Sequence, residues 1–254
     1  MDPLNGEFTG ESIAFLYPDL KTAFIGAFLN GKMTAAKATT VAVAQIGKDH
    51  MLFLDFVEPS CDAPTVRFSK STKTCIGDQP LVSDPYEESL VEVRDSNVPG
   101  GGDGLFARVD LPKGTIAAFY NGVRLAYRLG GPKEDWTSSG YKIYINADYE
   151  SGERMDIPAE YISLSSYCAS LGHKLNHSFR PNCEEWFFEH PRFGTVPCER
   201  TKEDVKAGAE LFLDYEYDPY NCPDWFRDQL VAFKQSMSEE EEAALSPKYA
   251  RFQP

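Results

Sequence analysis

Residues 174–183, Lys174-Leu175-Asn176-His177-Ser178-Phe179-Arg180-Pro181-Asn182-Cys183, and residues 210–217, Glu210-Leu211-Phe212-Leu213-Asp214-Tyr215-Glu216-Tyr217, decide the reading of this 254-residue chain. Taken alone, the first segment has two chemical interpretations. Cys168, His173, His177 and Cys183 are four ligand-type residues within sixteen positions, a set suited to zinc, although the paired C-x-x-C knuckle of structural zinc sites is missing. A Cys–His nucleophilic pair is the other, but no local signature marks any cysteine as the nucleophile. Neither interpretation accounts for Asn176, Ser178, Pro181 and Asn182.

The rest of the sequence narrows the class. Hydrophobic residues make up 42% and charged residues 25%, the balance of an ordinary folded globular chain long enough to bury a sizeable core. No apolar run is long enough for a bilayer-spanning helix, and the opening Met1-Asp2-Pro3-Leu4-Asn5-Gly6 has no export signal, so an intracellular location, not a secreted one, is expected. The six cysteines, Cys61, Cys75, Cys168, Cys183, Cys198 and Cys222, are widely spaced and read as reduced thiols. A net charge of −14 works against nucleic-acid phosphates and anionic lipid and suits a basic partner.

Outward from the two segments, three regions are expected. Residues 1–80 read as short antiparallel strands broken by turn signals such as Tyr17-Pro18-Asp19, Leu29-Asn30-Gly31 and Ile46-Gly47-Lys48-Asp49. Residues 88–217 form a second β-rich unit, with a short helix predicted between Ile162 and Leu171. Residues 218–254 begin with a helix over Pro223 to Met237, because Phe226, Leu230, Phe233 and Met237 fall on one face and Pro223 sits near the first turn. From Ser238, with Glu239 to Glu242 in a row, a solvated or frayed helix and an acidic tail should come after it. The cluster Gly100-Gly101-Gly102-Asp103-Gly104 formally fits a dinucleotide fingerprint through Gly102, Gly104 and Ala107. The residues after it show a strand pattern ending in Pro112-Lys113-Gly114, not the helix that would hold a pyrophosphate, so a tight turn with bare backbone near a ligand is expected instead.

The two opening segments resemble the signatures N-H-S-x-x-P-N-C and E-L-x-x-x-Y-x-Y of SET-domain protein-lysine methyltransferases, which cross as a pseudoknot around the active site. Gly104-Leu105-Phe106-Ala107, Phe119-Tyr120-Asn121-Gly122-Val123-Arg124 and Tyr167-Cys168-Ala169-Ser170-Leu171-Gly172-His173-Lys174 also resemble family segments. Thr22 to Met33 resembles a MORN repeat, a hairpin unit stabilised by stacking on its neighbours, so an array continuing on the N-terminal side is expected. The resemblance is to SET enzymes with N-terminal MORN repeats, which monomethylate lysine four of histone H3 and lysines of other proteins. It implies a mostly β fold with short helices: a MORN-like region, a SET domain of small sheets, and a C-terminal helix.

Methyl transfer from a sulfonium to a lysine is an in-line displacement that needs the amine uncharged. Exposing the neutral amine at pH 7 costs about 4 to 5 kcal/mol, since a free lysine titrates near 10.4. Tyrosine hydroxyls and carbonyls in a desolvated channel suffice, without metal or covalent intermediate. By resemblance, Tyr215 is the central catalytic tyrosine, with Tyr120 and Tyr217 lining the lysine channel beside Ile143. S-Adenosylmethionine is expected against Gly101, Gly102, Asp103, Lys174, Asn176 and His177, with Trp225 stacked on the adenine and Gln229 nearby. Many SET enzymes close this side with a zinc-binding cysteine cluster. Only Cys222 is present here, so no metal is expected.

Two positions depart from the family pattern. Glu185 replaces a channel tyrosine and leaves the number of methyls added open, and Gln229 replaces a glutamate. The substrate is expected as an extended Lys/Arg-rich peptide, such as a histone H3 tail, added beside Tyr141 to Asn146. A nuclear and cytoplasmic monomer is implied. The competing class is a SET-fold and MORN module that binds basic peptides without turnover.

Overall fold

The computed structural model describes residues 8–48, 52–125, 140–145 and 153–253. Met1 to Gly6, Asp49 and Asn146, which carry some of the sequence-based expectations, lie outside them. In the N-terminal region β1 (Gly10–Leu16), β2 (Thr22–Leu29), β3 (Lys32–Ile46) and β4 (Leu52–Phe56) pair in that order, with β5 (Thr65–Val66) on β3. The MORN-like stretch forms the β2–β3 hairpin, paired from Thr22↔Thr40 to Leu29↔Lys32. Asn30 and Gly31 at its tip have φ of 50° and 73°, the primed turn whose twist matches antiparallel strands. Gly26 is required by packing, because a Cβ there would lie 2.2 Å from the Ala35 carbonyl oxygen.

After α1 (Pro85–Leu90), β6 (Val91–Asp95) and β7 (Asp103–Ala107) make a hairpin whose turn is the glycine cluster. Gly100 and Gly102 have φ of 76° and 62°, backbone that favours glycine. The cluster leads into strand β7 and not into a helix, which removes the dinucleotide alternative. Three small sheets complete the unit: β8 (Ile116–Phe119) at one edge of the order β13 (Cys183–His190), β14 (Gly194–Thr201), β8; β9 (Val123–Leu125), β10 (Ile143–Tyr144) and β11 (Arg154–Asp156) in the order β10-β11-β9; and β12 (Asn176–His177) parallel to β15 (Phe212–Leu213).

The helix expected between Ile162 and Leu171 is absent. Single 3₁₀ turns at Ala159–Tyr161 and Gly172–Lys174 flank a run of turns and bends instead. Serine chemistry explains the difference. The Ser163 hydroxyl accepts from the Ser165 amide at 3.3 Å and lies 2.8 Å from the Ser165 hydroxyl, and the Ser166 hydroxyl donates to the Ser163 carbonyl at 3.0 Å. These local bonds compete with the helical pattern.

The C-terminal helix α2 spans Asp224–Ser236 with Phe226, Leu230 and Phe233 buried, while Met237 falls at its C-cap. The acidic run is helical, with Glu239, Glu240 and Glu242 exposed. It forms α3 (Glu239–Ala244), opened by a capping box between Ser238 and Glu241. Glu241 also pairs with Arg180 of the first segment. α4 (Pro247–Ala250) then lays Tyr249, 1% exposed, against the second segment, its hydroxyl 2.8 Å from Asp214 Oδ1.

The N-terminal sheet and the SET-like unit share one core, with Tyr17, Phe24 and Met33 packed in the same cluster as Phe119, Tyr167 and Phe193. At its centre Tyr17 and Tyr86 stack with ring centroids 5.0 Å apart. Asp84, 1% exposed, accepts from four donors: the Tyr17 hydroxyl at 2.5 Å, His190 Nε2 at 3.1 Å, and the Tyr86 and Glu87 amides at 3.0 and 3.2 Å. The Arg192 amide donates to His190 Nδ1, which leaves the proton on Nε2. One carboxylate thereby caps α1 and ties three chain segments together.

Candidate functional site

The crossing of the two opening segments builds the site. Asn176 pairs with Phe212 and His177 with Leu213 in a parallel bridge, and Ser178 extends it by donating to the Leu213 carbonyl at 3.0 Å. Asn182 fixes the crossing from the side: its amide nitrogen donates to the Glu210 carbonyl at 2.8 Å, and its oxygen accepts from the Phe212 amide at 2.8 Å. An asparagine supplies one donor and one acceptor to adjacent backbone groups, as no apolar residue can.

Glu210 connects this crossing to the glycine turn. Its carboxylate accepts from the Ser96 hydroxyl at 2.5 Å, the Asn97 amide at 2.9 Å and Asn176 Nδ2 at 3.4 Å. Gly104 is a consequence, because a Cβ there would lie 2.4 Å from Glu210 Oε1. The turn is thus held over an open cleft of about 1000 Å3.

Gly101, Gly102, Asp103, Lys174, Asn176 and Trp225 all line that cleft, as do Tyr215 and Tyr217. Lys174 Nζ, on a side chain 4% exposed, lies 2.5 Å from Asp103 Oδ2 and donates to the Ile162 carbonyl at 2.7 Å. Asn176 Nδ2 donates to the Asp103 carbonyl at 2.9 Å. The indole of Trp225, 43% exposed, lines the same cleft, 6.2 Å from both the Tyr215 and Tyr217 rings. This set fits a ligand with an ionised amino acid at one end and a flat heterocycle at the other. Ion-pairing groups sit at Lys174 and Asp103, bare backbone at the glycine turn, and an aromatic face at Trp225.

His177 stands behind this wall. Its Nδ1 accepts the Tyr215 amide at 3.2 Å, and burial first of all holds its imidazole down to about 4, so it is neutral at physiological pH. Its role in this geometry is to position Tyr215. Gln229 is half-buried one turn beyond Trp225 on α2, and Ile143 is half-buried against the main core; neither lines the cleft.

The three tyrosines gather next to the cleft. Tyr215 donates its hydroxyl to the Leu175 carbonyl at 2.7 Å, and its ring lies 5.8 Å from that of Tyr217. Tyr120, 5% exposed, donates to the Tyr141 carbonyl at 2.6 Å. Burial raises all three phenols, that of Tyr217 to about 12, so they are neutral hydroxyls under physiological conditions.

Three further residues stand near the site: the sequence offered His173 only as a zinc ligand and Tyr141 only as the start of the substrate-adding segment, and it did not single out Glu199. His173 lines the cleft and is held down to about 3, by burial and then by Lys174. Tyr141 lines it too and receives the Tyr120 hydroxyl. Glu199, 1% exposed, faces Glu185 across the β13–β14 ladder. Among the described residues no three His, Cys, Asp or Glu side chains converge as a metal site would require, and all six cysteines are free thiols.

Residues 102–216 match the family model of the SET domain, and residues 3–52 match that of the "Histone H3 K4-specific methyltransferase SET7 N-terminal" region. The chain is 39% identical over 237 residues to "Histone-lysine N-methyltransferase SETD7" of Halocynthia roretzi, covering 90% of this chain. It spans 60% of the length of that curated relative. More remote likenesses join it to solved structures. One, "ctPRC2 in an autoinhibited conformation bound to S-adenosylmethionine", has a TM-score of 0.38 at 20% identity over 57% of this chain and 17% of that one. Another, a humanized mutant of the Chaetomium thermophilum Polycomb Repressive Complex 2, has a TM-score of 0.37 at 21% identity over 54% and 16%. The first crossing segment and residues 210–216 of the second lie within the first matched stretch and the β2–β3 hairpin within the second, and this chain carries a SET domain.

Proposed function

We propose that the chain transfers a methyl group from S-adenosylmethionine to a lysine side chain of a basic protein segment, the histone H3 tail being the model substrate and lysines of other proteins further ones, with action in the nucleus. The observation that carries this is the meeting of the cleft with the three tyrosines at the crossing of β12 and β15. Lys174 and Asp103 suit the amino-acid end of the donor, and Trp225 suits the purine face. The donor supplies an electrophilic methyl on a sulfonium. The chain supplies alignment, exclusion of water and oriented hydroxyls and carbonyls, the effects that convert a bimolecular displacement into a positioned one.

The substrate would enter beside β10. That strand is an edge in the order β10-β11-β9 and carries Ile143 next to Tyr141, whose carbonyl already holds Tyr120. An extended peptide adding a strand there would leave its lysine free to turn inward. The chain's net charge of −14 favours a cationic segment over an acidic one.

The number of methyls added depends on the room and the hydrogen bonds around the amine. Monomethylation is the proposed outcome, and Glu185 is the position that tests it. Mass spectrometry of a lysine peptide after incubation with S-adenosylmethionine should show methylated product from the wild type. A change in the ratio of mono- to dimethyl product in Glu185→Tyr would identify Glu185 as a residue that sets the number. An identical product distribution would remove it from that role, and no product from the wild type, with the donor bound, would favour a binding module over an enzyme.

A further inference from the structure

The three-stranded sheet β13-β14-β8 has two faces. On one, Glu184 pairs with Arg200, whose guanidinium lies 3.9 Å over the Trp186 ring, and Cys198 and Phe119 continue into the main core. The other face carries Cys183, Glu185 and, across the ladder, Glu199, which itself pairs with Ala118 of β8. Cys183 and Ala118 belong to the core cluster holding Leu175 and Leu211 of the two crossing segments, so this face looks toward the pseudoknot. Glu199 is therefore a carboxyl buried behind the tyrosines, and its Oε2 has no hydrogen-bond partner.

Unpartnered buried carboxyls are costly and rarely placed without a ligand or a shared proton. From Glu199 and Glu185, on this sheet face beside the tyrosine channel, we infer that the two form a carboxyl pair that carries one proton, binds the ammonium of the incoming lysine and receives its proton before methyl transfer. This inference rests on the methyl-transfer function proposed for the chain and names the group that makes the substrate nucleophilic.

The surroundings support the division of roles. Glu199 is pushed well above the usual carboxylate range by burial and then by Glu185, so it holds its proton. Glu185 is exposed at its position on β13, and its carboxyl is raised to about 7, by desolvation from the packing around it first and then by Glu216. Glu216 lies between Tyr215 and Tyr217 and is itself paired with Lys248 of α4 at 3.3 Å. The other titrating groups around the pair are the phenols of Tyr120, Tyr141 and Tyr215 and the thiols of Cys183 and Cys198, all raised and neutral.

In the proposed step the lysine N–H bond breaks, its proton forms an O–H bond on Glu185, and the electron pair stays on nitrogen. That nitrogen then forms the bond to the methyl carbon while the carbon–sulfur bond breaks and its electron pair leaves with sulfur. An ordinary glutamate differs from lysine by about six powers of ten in proton affinity; one near 7 differs by about three. Desolvation of the ammonium narrows the gap further.

Calorimetry with a basic lysine peptide and the same peptide carrying norleucine tests the binding half without requiring turnover. Wild type should bind the lysine peptide about tenfold more tightly at pH 8 than at pH 6 and prefer it to the norleucine peptide. Glu185→Gln, checked for fold by circular dichroism, should lose both the preference and the pH dependence. In single-turnover assays it should also lose about a hundredfold in rate, with the rise in rate around pH 7 removed and S-adenosylmethionine affinity unchanged. Glu199→Leu should keep the rise near pH 7, since Glu185 is the ionising partner. Glu185→Gln behaving as wild type in both measurements would overturn the inference while methyl transfer stands. Wild-type discrimination of lysine from norleucine without any transfer would leave the cation site standing and overturn the reaction.

Discussion

Tyr215→Phe is expected to lower methyl transfer by about 10²- to 10³-fold while S-adenosylmethionine still binds, a loss typical of removing one oriented hydroxyl from a desolvated site. The hydroxyl lies 2.7 Å from the Leu175 carbonyl, and His177 fixes the backbone beneath it by accepting the Tyr215 amide at 3.2 Å. Phenylalanine keeps the ring contacts with Tyr217 and Trp225, so packing should survive the change. A radiolabelled transfer assay paired with a cofactor titration separates the effects. Transfer within a few-fold of wild type would remove Tyr215 from the centre of the site.

Asp84→Ala is expected to destabilise the fold by about 3 to 5 kcal/mol, the range for removing one partner of a buried, charged hydrogen-bond network. In a chain of this size that corresponds to a fall of roughly 10 °C in the melting temperature. Four donors lose their acceptor at once: Tyr17, His190 and the first two free amides of α1. Burial alone would raise the Asp84 carboxyl, but the hydrogen bonds from His190 and the Tyr17 hydroxyl and the nearby charge of Arg192 outweigh it and hold it below its ordinary value. A depressed carboxylate stabilises the native state above its unfolded pKa of about 3.9 and loses that contribution as pH falls through the folded value. Thermal melts of wild type and Asp84→Ala should therefore differ most near neutrality and converge below about pH 4. Equal melting temperatures at pH 7 would contradict this role for Asp84.

The parts legible in the sequence are those set by local chemistry. Asn30-Gly31 specified its turn because two successive residues must adopt positive φ, and Phe226, Leu230 and Phe233 specified the buried face of α2 by spacing alone. The crossing segments were legible as motifs, and the structure supplies the reason for Asn182, which pairs with backbone of the second segment on both its donor and acceptor sides. The serine-rich stretch after Ile162 was misleading because apolar spacing favoured a helix while Ser163 captured the local hydrogen bonds.

Long-range register hid the rest. Glu199 reads as one more charge in Pro197-Cys198-Glu199-Arg200, and only pairing with Glu185 and Ala118 puts it inside. Asp84, Tyr17 and His190 are far apart in the chain and meet only because the N-terminal sheet and the SET unit share a core. The acidic run Glu239 to Glu242 was legible as a solvated helix, whereas the pairing of Glu241 with Arg180 was not.

If the glycine turn, Lys174, Asn176 and Trp225 form one site for S-adenosylmethionine at the crossing of the two segments, calorimetric titration of the wild type and Trp225→Ala with that molecule tests the site most directly. One molecule should bind per chain, with affinity reduced at least about tenfold in the variant, since stacking of a purine on an indole contributes about 1 to 3 kcal/mol. Absence of binding to the wild type, or equal affinity in Trp225→Ala, would contradict it.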